Sequence, residues 1–139
     1  MSVETKLVTG VDFVCVPTQD IAAAMDFYEN VLGIEASKRW QRGEEEPMGA
    51  EFEPGDVTIA LLASDKIGIE FQPNNVPLAL HVEDVEAARA ELESRGVTFH
   101  ADTLDSGVCH MANFSDPDGN ALMLHNRYAP PGAKPGGGD

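Results

Sequence analysis

One hydrophobic pattern is written twice along this chain. Residues 11–16 form a compact run of apolar and β-favouring side chains stopped at Pro17, which cannot donate to a strand ladder, so they predict a central strand. Asp20 then stands as an N-cap, and Ile21, Ala24, Met25, Tyr28 and Leu32 recur at helical spacing until Gly33, which suits a left-handed helix end. Residues 34–40, 48–52 and 57–63 read as three strands, separated by a polar loop at 41–47 and a tight turn at Pro54-Gly55-Asp56. Residues 64–75 form a connector, in which 67–71 either adds a short strand or lies across the first half.

The order then restarts. Residues 78–82 predict a strand, and Asp84 caps a helix whose apolar face is Val85, Ala88 and Leu92, with Glu91 and Arg95 paired at i,i+4 on the wet side and Gly96 at the end. Residues 97–100, 108–114 and 121–125 supply three further strands, the last two joined through Asp116-Pro117-Asp118-Gly119, whose Pro and Gly fit a tight turn. A β-α-β-β-β unit repeated in this way is an α+β fold of mixed sheets, and its copies must bury an apolar face together. The strand faces opposite the helices should cover one another, which places the default small-molecule site in a cup between the two halves.

At 139 residues the chain is one domain rather than two, expected to span 1–129. Module one covers about 7–63, the connector 64–75 and module two about 76–128, while the Gly- and Pro-rich stretch 130–139 is expected to be a mobile tail. Apolar residues make up 42%, yet no uninterrupted run approaches the roughly 20 residues a membrane helix needs. Residues 1–9 are mixed and polar without a signal-peptide pattern, so a cytoplasmic location is expected. The formal charge of −15, from 24 acids against 9 bases, argues against a nucleic-acid partner, which would need a basic footprint. Cys15 and Cys109 are far apart with no Cys-x-x-Cys spacing, so neither a disulfide scaffold nor a thiolate zinc site is indicated.

The residues Phe27-Tyr28-x-x-Val31-Leu32-Gly33 and Asp116-Pro117-Asp118-Gly119-Asn120, in a duplicated frame from about Leu7 to Tyr128, resemble the vicinal oxygen chelate superfamily of glyoxalases, bleomycin-resistance proteins and extradiol dioxygenases. The resemblance implies an open, cupped barrel of two modules, with dimers common. It also implies, in metal-dependent members, a divalent cation such as zinc, nickel, iron or manganese held in the cup by His and Glu. The corresponding positions here are Val11, Ala60, Pro77 and Met123, none of which offers an oxygen or imidazole ligand. A one-residue slip would bring Asp12 to the first position, and an Asp within a β-favouring run breaks a local rule of the kind functional sites break.

Other chemistry rests on strand alternation. Phe13, Cys15, His81, Met111, Met123 and His125 all fall on the strand face assigned to the cup, with Phe71 as further apolar lining. Asp12, His81 and His125 are candidates for a displaced metal site, and Cys15 beside His81 and His125 would suit a nucleophile or a borderline metal ion. Set against these, a buried Cys or a lone strand His more often packs or hydrogen-bonds than reacts. Cys109 and His110 alternate and cannot both line one cup, and His100, near Asp102, reads as a surface residue. Three readings follow: a glyoxalase-like lyase, isomerase or dioxygenase; a metal-free sequestering protein of the bleomycin-resistance type; or an interaction module without a ligand. A homodimer is expected in each, because open sheet edges need cover.

Overall fold

The structure, a computed structural model, describes residues 6–130, so the expected tail lies outside the described residues except for Pro130. Two four-stranded mixed sheets carry the fold. The first holds β1 (Phe13–Thr18), β2 (Ala36–Trp40), β3 (Gly49–Phe52) and β4 (Thr58–Ala63), in spatial order β1-β4-β3-β2. The second repeats that order as β5-β8-β7-β6, with β5 (Leu78–His81), β6 (Leu104–Asp105), β7 (Cys109–Ser115) and β8 (Ala121–Arg127). In each, the first and last strands run parallel and the remaining pairs antiparallel. The sheets are not joined by strand pairing and do not close into a barrel.

Each helix begins as the caps dictate. Asp20 accepts from the Ala23 amide at 3.1 Å to start α1 (Ile21–Asp26), and Asp84 accepts from the Ala87 amide at 3.0 Å to start α2 (Val85–Ser94). The first helix widens into a π turn over Phe27–Val31 before Gly33 ends it at φ 74°. Ile21, Ala24, Met25 and Tyr28 pack onto Val16, Phe52, Ile59 and Leu61, and Val85 and Leu92 pack with Phe99, Phe114, Leu122 and Leu124. Both sets belong to one continuous core on the helix side of the sheets, where each large side chain contributes about 1.5–3 kcal/mol by burial.

One expected strand differs, and a second segment takes the non-strand alternative. Residues 97–100 pair only through an isolated bridge from Phe99 to Phe114, and the edge strand of the second sheet is Leu104–Asp105. Side chains hold the earlier segment instead: Arg89 lies over the Phe99 ring at 4.8 Å and donates to Thr103, which ties the segment to α2 rather than to a ladder. Residues 67–71 form no strand, because a 3₁₀ turn at Ser64–Ile67 closes on Gly68 at φ 75°.

The modules are locked together by one buried carboxylate. Asp116, 5% exposed, accepts from the Tyr28 hydroxyl at 2.8 Å, from the Asn120 amide side chain at 2.9 Å, and from the backbone amides of Asp118 and Asn120. Asn120 in turn donates to the Pro17 carbonyl and accepts from the Asn74 amide, and Asn74 donates to the Cys15 carbonyl. The hydroxyl of Tyr28 is fully buried, and that burial, then the charge of Asp116, pushes its pKa far above the ordinary value of about 10.

Tyr28→Phe removes one of four donors to a buried charge and should cost about 1–3 kcal/mol in urea unfolding, with Asp116→Ala costing more because it strands several donors. The native fold favours neutral Tyr28, so its contribution holds below pH 10 or so and falls as pH rises further. An alkaline limb of the stability curve as steep in Tyr28→Phe as in the parent would disprove this role.

Candidate functional site

The face of each sheet opposite its helix is the candidate site. On the first sheet, cross-strand register places Cys15, Ala60, Glu51 and Lys38 in one row and Pro17, Leu62, Gly49 and Trp40 in the next, with Phe13 beside Thr58. Phe13 and Trp40 sit on the two outer strands, three spacings or about 14 Å apart along the sheet. Their rings nevertheless meet edge to face at 6.4 Å. The sheet is therefore curled into a hollow, and the two rings reach across β4 and β3 over a floor of Ala60 and Gly49, both buried.

Small floor residues are required by this arrangement. A Cβ on Gly49 would stand 2.6 Å from the Leu61 carbonyl oxygen and 2.9 Å from Cε3 of Trp40, so only glycine lets the indole lie down there. The indole nitrogen donates to Oε2 of Glu51 at 2.8 Å, which fixes the ring over the floor. At the rim, Glu53 accepts from Ser37 and from Thr58, each at 2.6 Å, and those hydroxyls, Ser37 first, hold its carboxyl below the usual range.

The second sheet carries a different set. Register lines up His81, His125, Met111 and Leu104 in one row and Ala79, Met123 and Asn113 in the next. His81 pairs with Glu83 at 2.7 Å on the exposed rim. His100, expected only at the surface, is exposed but bonds the Ser115 hydroxyl at 2.8 Å, and its amide donates to the Asn113 carbonyl. Oδ1 of Asn113 is buried without a hydrogen-bond partner. His110 alternates to the other face, 3.4 Å from Asp105, with its ring against Tyr128 at 4.7 Å, while Cys109 is buried.

Of the residues assigned to the cup, the structure thus gathers His81, Met111, Met123 and His125 on one sheet and Phe13 and Cys15 on the other. The two hollow faces do not bury each other within one protomer: Phe13 is 43% and Leu104 51% exposed, and the hydrogen bonds between modules run through the Asp116 seam or backbone groups. Asp12 precedes β1 and is exposed, and Phe71 lies in the connector. Among the described residues no three His, Cys, Asp or Glu side chains converge on a metal-sized space, so neither Asp12, His81 and His125 nor Cys15, His81 and His125 form a cluster in one chain. The reason is topological, since β1 and β5 belong to sheets that share no ladder. Between their free edges runs a groove of about 340 Å³ lined by Cys15, Val16, Asn74, Val76 and Pro77 among others.

At the four positions where a chelating relative would place ligands, Val11 is exposed ahead of β1, Ala60 is buried under the aromatic pair, Pro77 lines the groove and Met123 is half-buried beside Asn113. Their side chains do not fit a hard cation. Trp40 and Glu51 were not among the expected site residues, although a glutamate inside the apolar strand Ala50-Glu51-Phe52 and a glycine opening it were both visible signals.

The model of the Glyoxalase/Bleomycin resistance protein/Dioxygenase superfamily matches residues 10–124, and the chain belongs to that superfamily. Solved structures agree. A superfamily member from Sphaerobacter thermophilus is similar at 25% identity and TM-score 0.73, with 86% of this chain and 98% of that one covered. TnmS3, an antibiotic binding protein from Streptomyces sp. CB03234, is 26% identical at TM-score 0.69 over 88% and 99% of the two chains. A lactoylglutathione lyase from Agrobacterium tumefaciens, at 16% identity and TM-score 0.68 over 86% and 95%, shares the fold. No curated protein sequence matches the chain.

Gly49→Ala should lower stability by about 1–3 kcal/mol through overpacking and push the indole off the floor, shifting the emission of Trp40, the sole tryptophan, to longer wavelength. An unchanged spectrum with unchanged stability would show that the floor does not need a glycine.

Proposed function

We propose that this protein binds and sequesters a small organic molecule in the hollow of its sheets, as a cytoplasmic homodimer of single-domain chains, without the chelated cation of its metal-dependent relatives. One observation carries the reading: the aromatic pair Phe13 and Trp40 closes over a small-residue floor, while hydrocarbon and thioether occupy Val11, Ala60, Pro77 and Met123. Such a surface, apolar with a few polar handles, is what small-molecule sites are made of. In this proposal Phe13 and Cys15, joined by Trp40 and Glu51, line the hollow of the first sheet, and His81, Met111, Met123 and His125 line that of the second. The likeness to TnmS3, itself an antibiotic binding protein, supports a binding role over turnover. No helix among the described residues is long and apolar enough to cross a membrane, which accords with the location proposed.

The homodimer follows from what one chain leaves open. Phe13 and Leu104 are apolar and half-exposed, and among the described residues no strand pairs with the outer edges of β1 and β5, so a second copy would cover them. Light scattering should give twice the 14.9 kDa chain mass.

A metal-dependent lyase or dioxygenase with a displaced site is the second reading, favoured by one feature: His81 and His125 stand opposite each other on parallel strands. Metal analysis separates the two. The sequestering reading expects well under one equivalent of zinc, nickel, iron or manganese after chelator treatment and reloading, whereas stoichiometric metal that disappears in His125→Ala would establish the other. Binding itself is tested by thermal shift against aromatic antibiotics and related compounds, where a ligand at 100 times its Kd adds about 2.7 kcal/mol. A hit should be lost in Phe13→Ala and Trp40→Leu; equal shifts in those variants would place binding elsewhere.

A further inference from the structure

We infer that the concave face of the second sheet holds a soft monovalent cation, copper in its cuprous state, with His125 and Met111 as the central ligands and Met123 and His81 beside them. Pairing geometry brings these side chains together. The His125 carbonyl accepts from the Val82 amide, which spends its backbone groups on the β5 side, so toward β7 His125 and Met111 form a pair without mutual backbone hydrogen bonds. In that class of antiparallel pair the Cα atoms lie about 4.5 Å apart and the side chains approach most closely. His81 stands opposite His125 on the other side, one strand spacing or about 4.8 Å away. Met123 lies two residues before His125 and therefore on the same face. One imidazole is thus flanked by a second imidazole and two thioethers.

Each group is free to ligate. Among the described residues nothing hydrogen-bonds the His125 ring, whereas His81, His100 and His110 each have a partner. Nε2 of His81 is held by Glu83 at 2.7 Å, which leaves Nδ1 for an ion; a carboxylate on the far nitrogen is the arrangement that orients metal-bound imidazoles. His125, Met111 and Met123 are half-buried, so water competes weakly for the ion. Neutral thioether and imidazole ligands select Cu(I), while hard cations want oxygen. Of the four residues only Met123 stands at a position that chelating relatives use, and it brings sulfur there. A net charge of −15 raises the local concentration of cations. The site goes beyond the organic ligand proposed for these hollows and stands without it.

Competition with the chromogenic chelator bicinchoninate, under nitrogen with ascorbate holding copper as Cu(I), tests this on the full chain. Cys15→Ser removes an exposed thiol that would bind the same ion, and this variant should still take up one equivalent. Adding Met111→Leu, a volume-conserving change, or His125→Ala should weaken Cu(I) binding at least ten-fold. Labelled methyl signals of Met111 and Met123 should shift with one equivalent of Ag(I), while that of Met25 in the core stays in place. Zinc in about ten-fold excess should not displace the copper. Loss of copper binding once Cys15 is replaced, affinity that survives either Met111→Leu or His125→Ala, unmoved Met111 and Met123 methyl signals, or displacement by zinc would overturn the site and leave the organic-ligand reading standing.

Discussion

The fold turns on a carboxylate withdrawn from water. Asp116 sits at the meeting point of two modules that share no strand pairing, and four donors converge on it, three from Asp118 and Asn120 of its own loop and one from Tyr28 of the other module. A charge so placed is tolerated only when its lone pairs are filled, so the loop and the helix must arrive together for either arrangement to persist. The π turn in the first helix delivers the tyrosine: widening after Asp26 leaves Phe27 against Tyr28 at 5.6 Å and Tyr28 against Phe52 at 5.9 Å, with the hydroxyl aimed across the seam. Through Asn120 the same network reaches the Pro17 carbonyl, and through Asn74 the Cys15 carbonyl. The edge of β1, and with it the position of Phe13 and Cys15, is thereby fixed relative to the second module by hydrogen bonds rather than by a ladder.

A hollow rather than a flat sheet follows from residue size. Strands carrying Ala60 and Gly49 on one face leave room for the outer strands to bend inward, and Phe13 and Trp40 fill that room from opposite edges. The hydrogen bond from the indole to Glu51 then turns a flexible aromatic contact into a fixed wall. The chain binds its own tryptophan with half of a carboxylate and leaves the other half facing solvent and any guest.

Much of this architecture was legible in the sequence because it depends on periodicity and turn chemistry, which are local. The capping aspartates, the helix-ending glycines and the Asp-Pro-Asp-Gly-Asn turn each announce themselves within a few residues. The segment at 97–100 misled because its alternation matches a strand, while the interaction that decides its path comes from Arg89, a helix residue whose reach to Phe99 and Thr103 is tertiary. The site was legible only in part for a similar reason. Alternation assigned Phe13, Cys15, His81, Met111, Met123 and His125 to one kind of face, but two sheets present two such faces, and periodicity cannot say whether they meet. The pairing of Phe13 with Trp40 is longer-ranged still, since it needs the sheet to curl before the rings can touch.

Hydrocarbon at the four chelating positions changes the electrostatics of the whole hollow. A resident cation would neutralise nearby carboxylates and order them, and Val11, Ala60, Pro77 and Met123 supply neither imidazole nor carboxylate to hold one there. Of the polar groups on these faces, Glu51 has one oxygen bonded to the indole, His81 pairs with Glu83, and Asn113 has its Oδ1 buried without a hydrogen-bond partner. An acceptor beside an aromatic wall favours guests that bring a donor, because a mismatched guest would strand a polar group on binding.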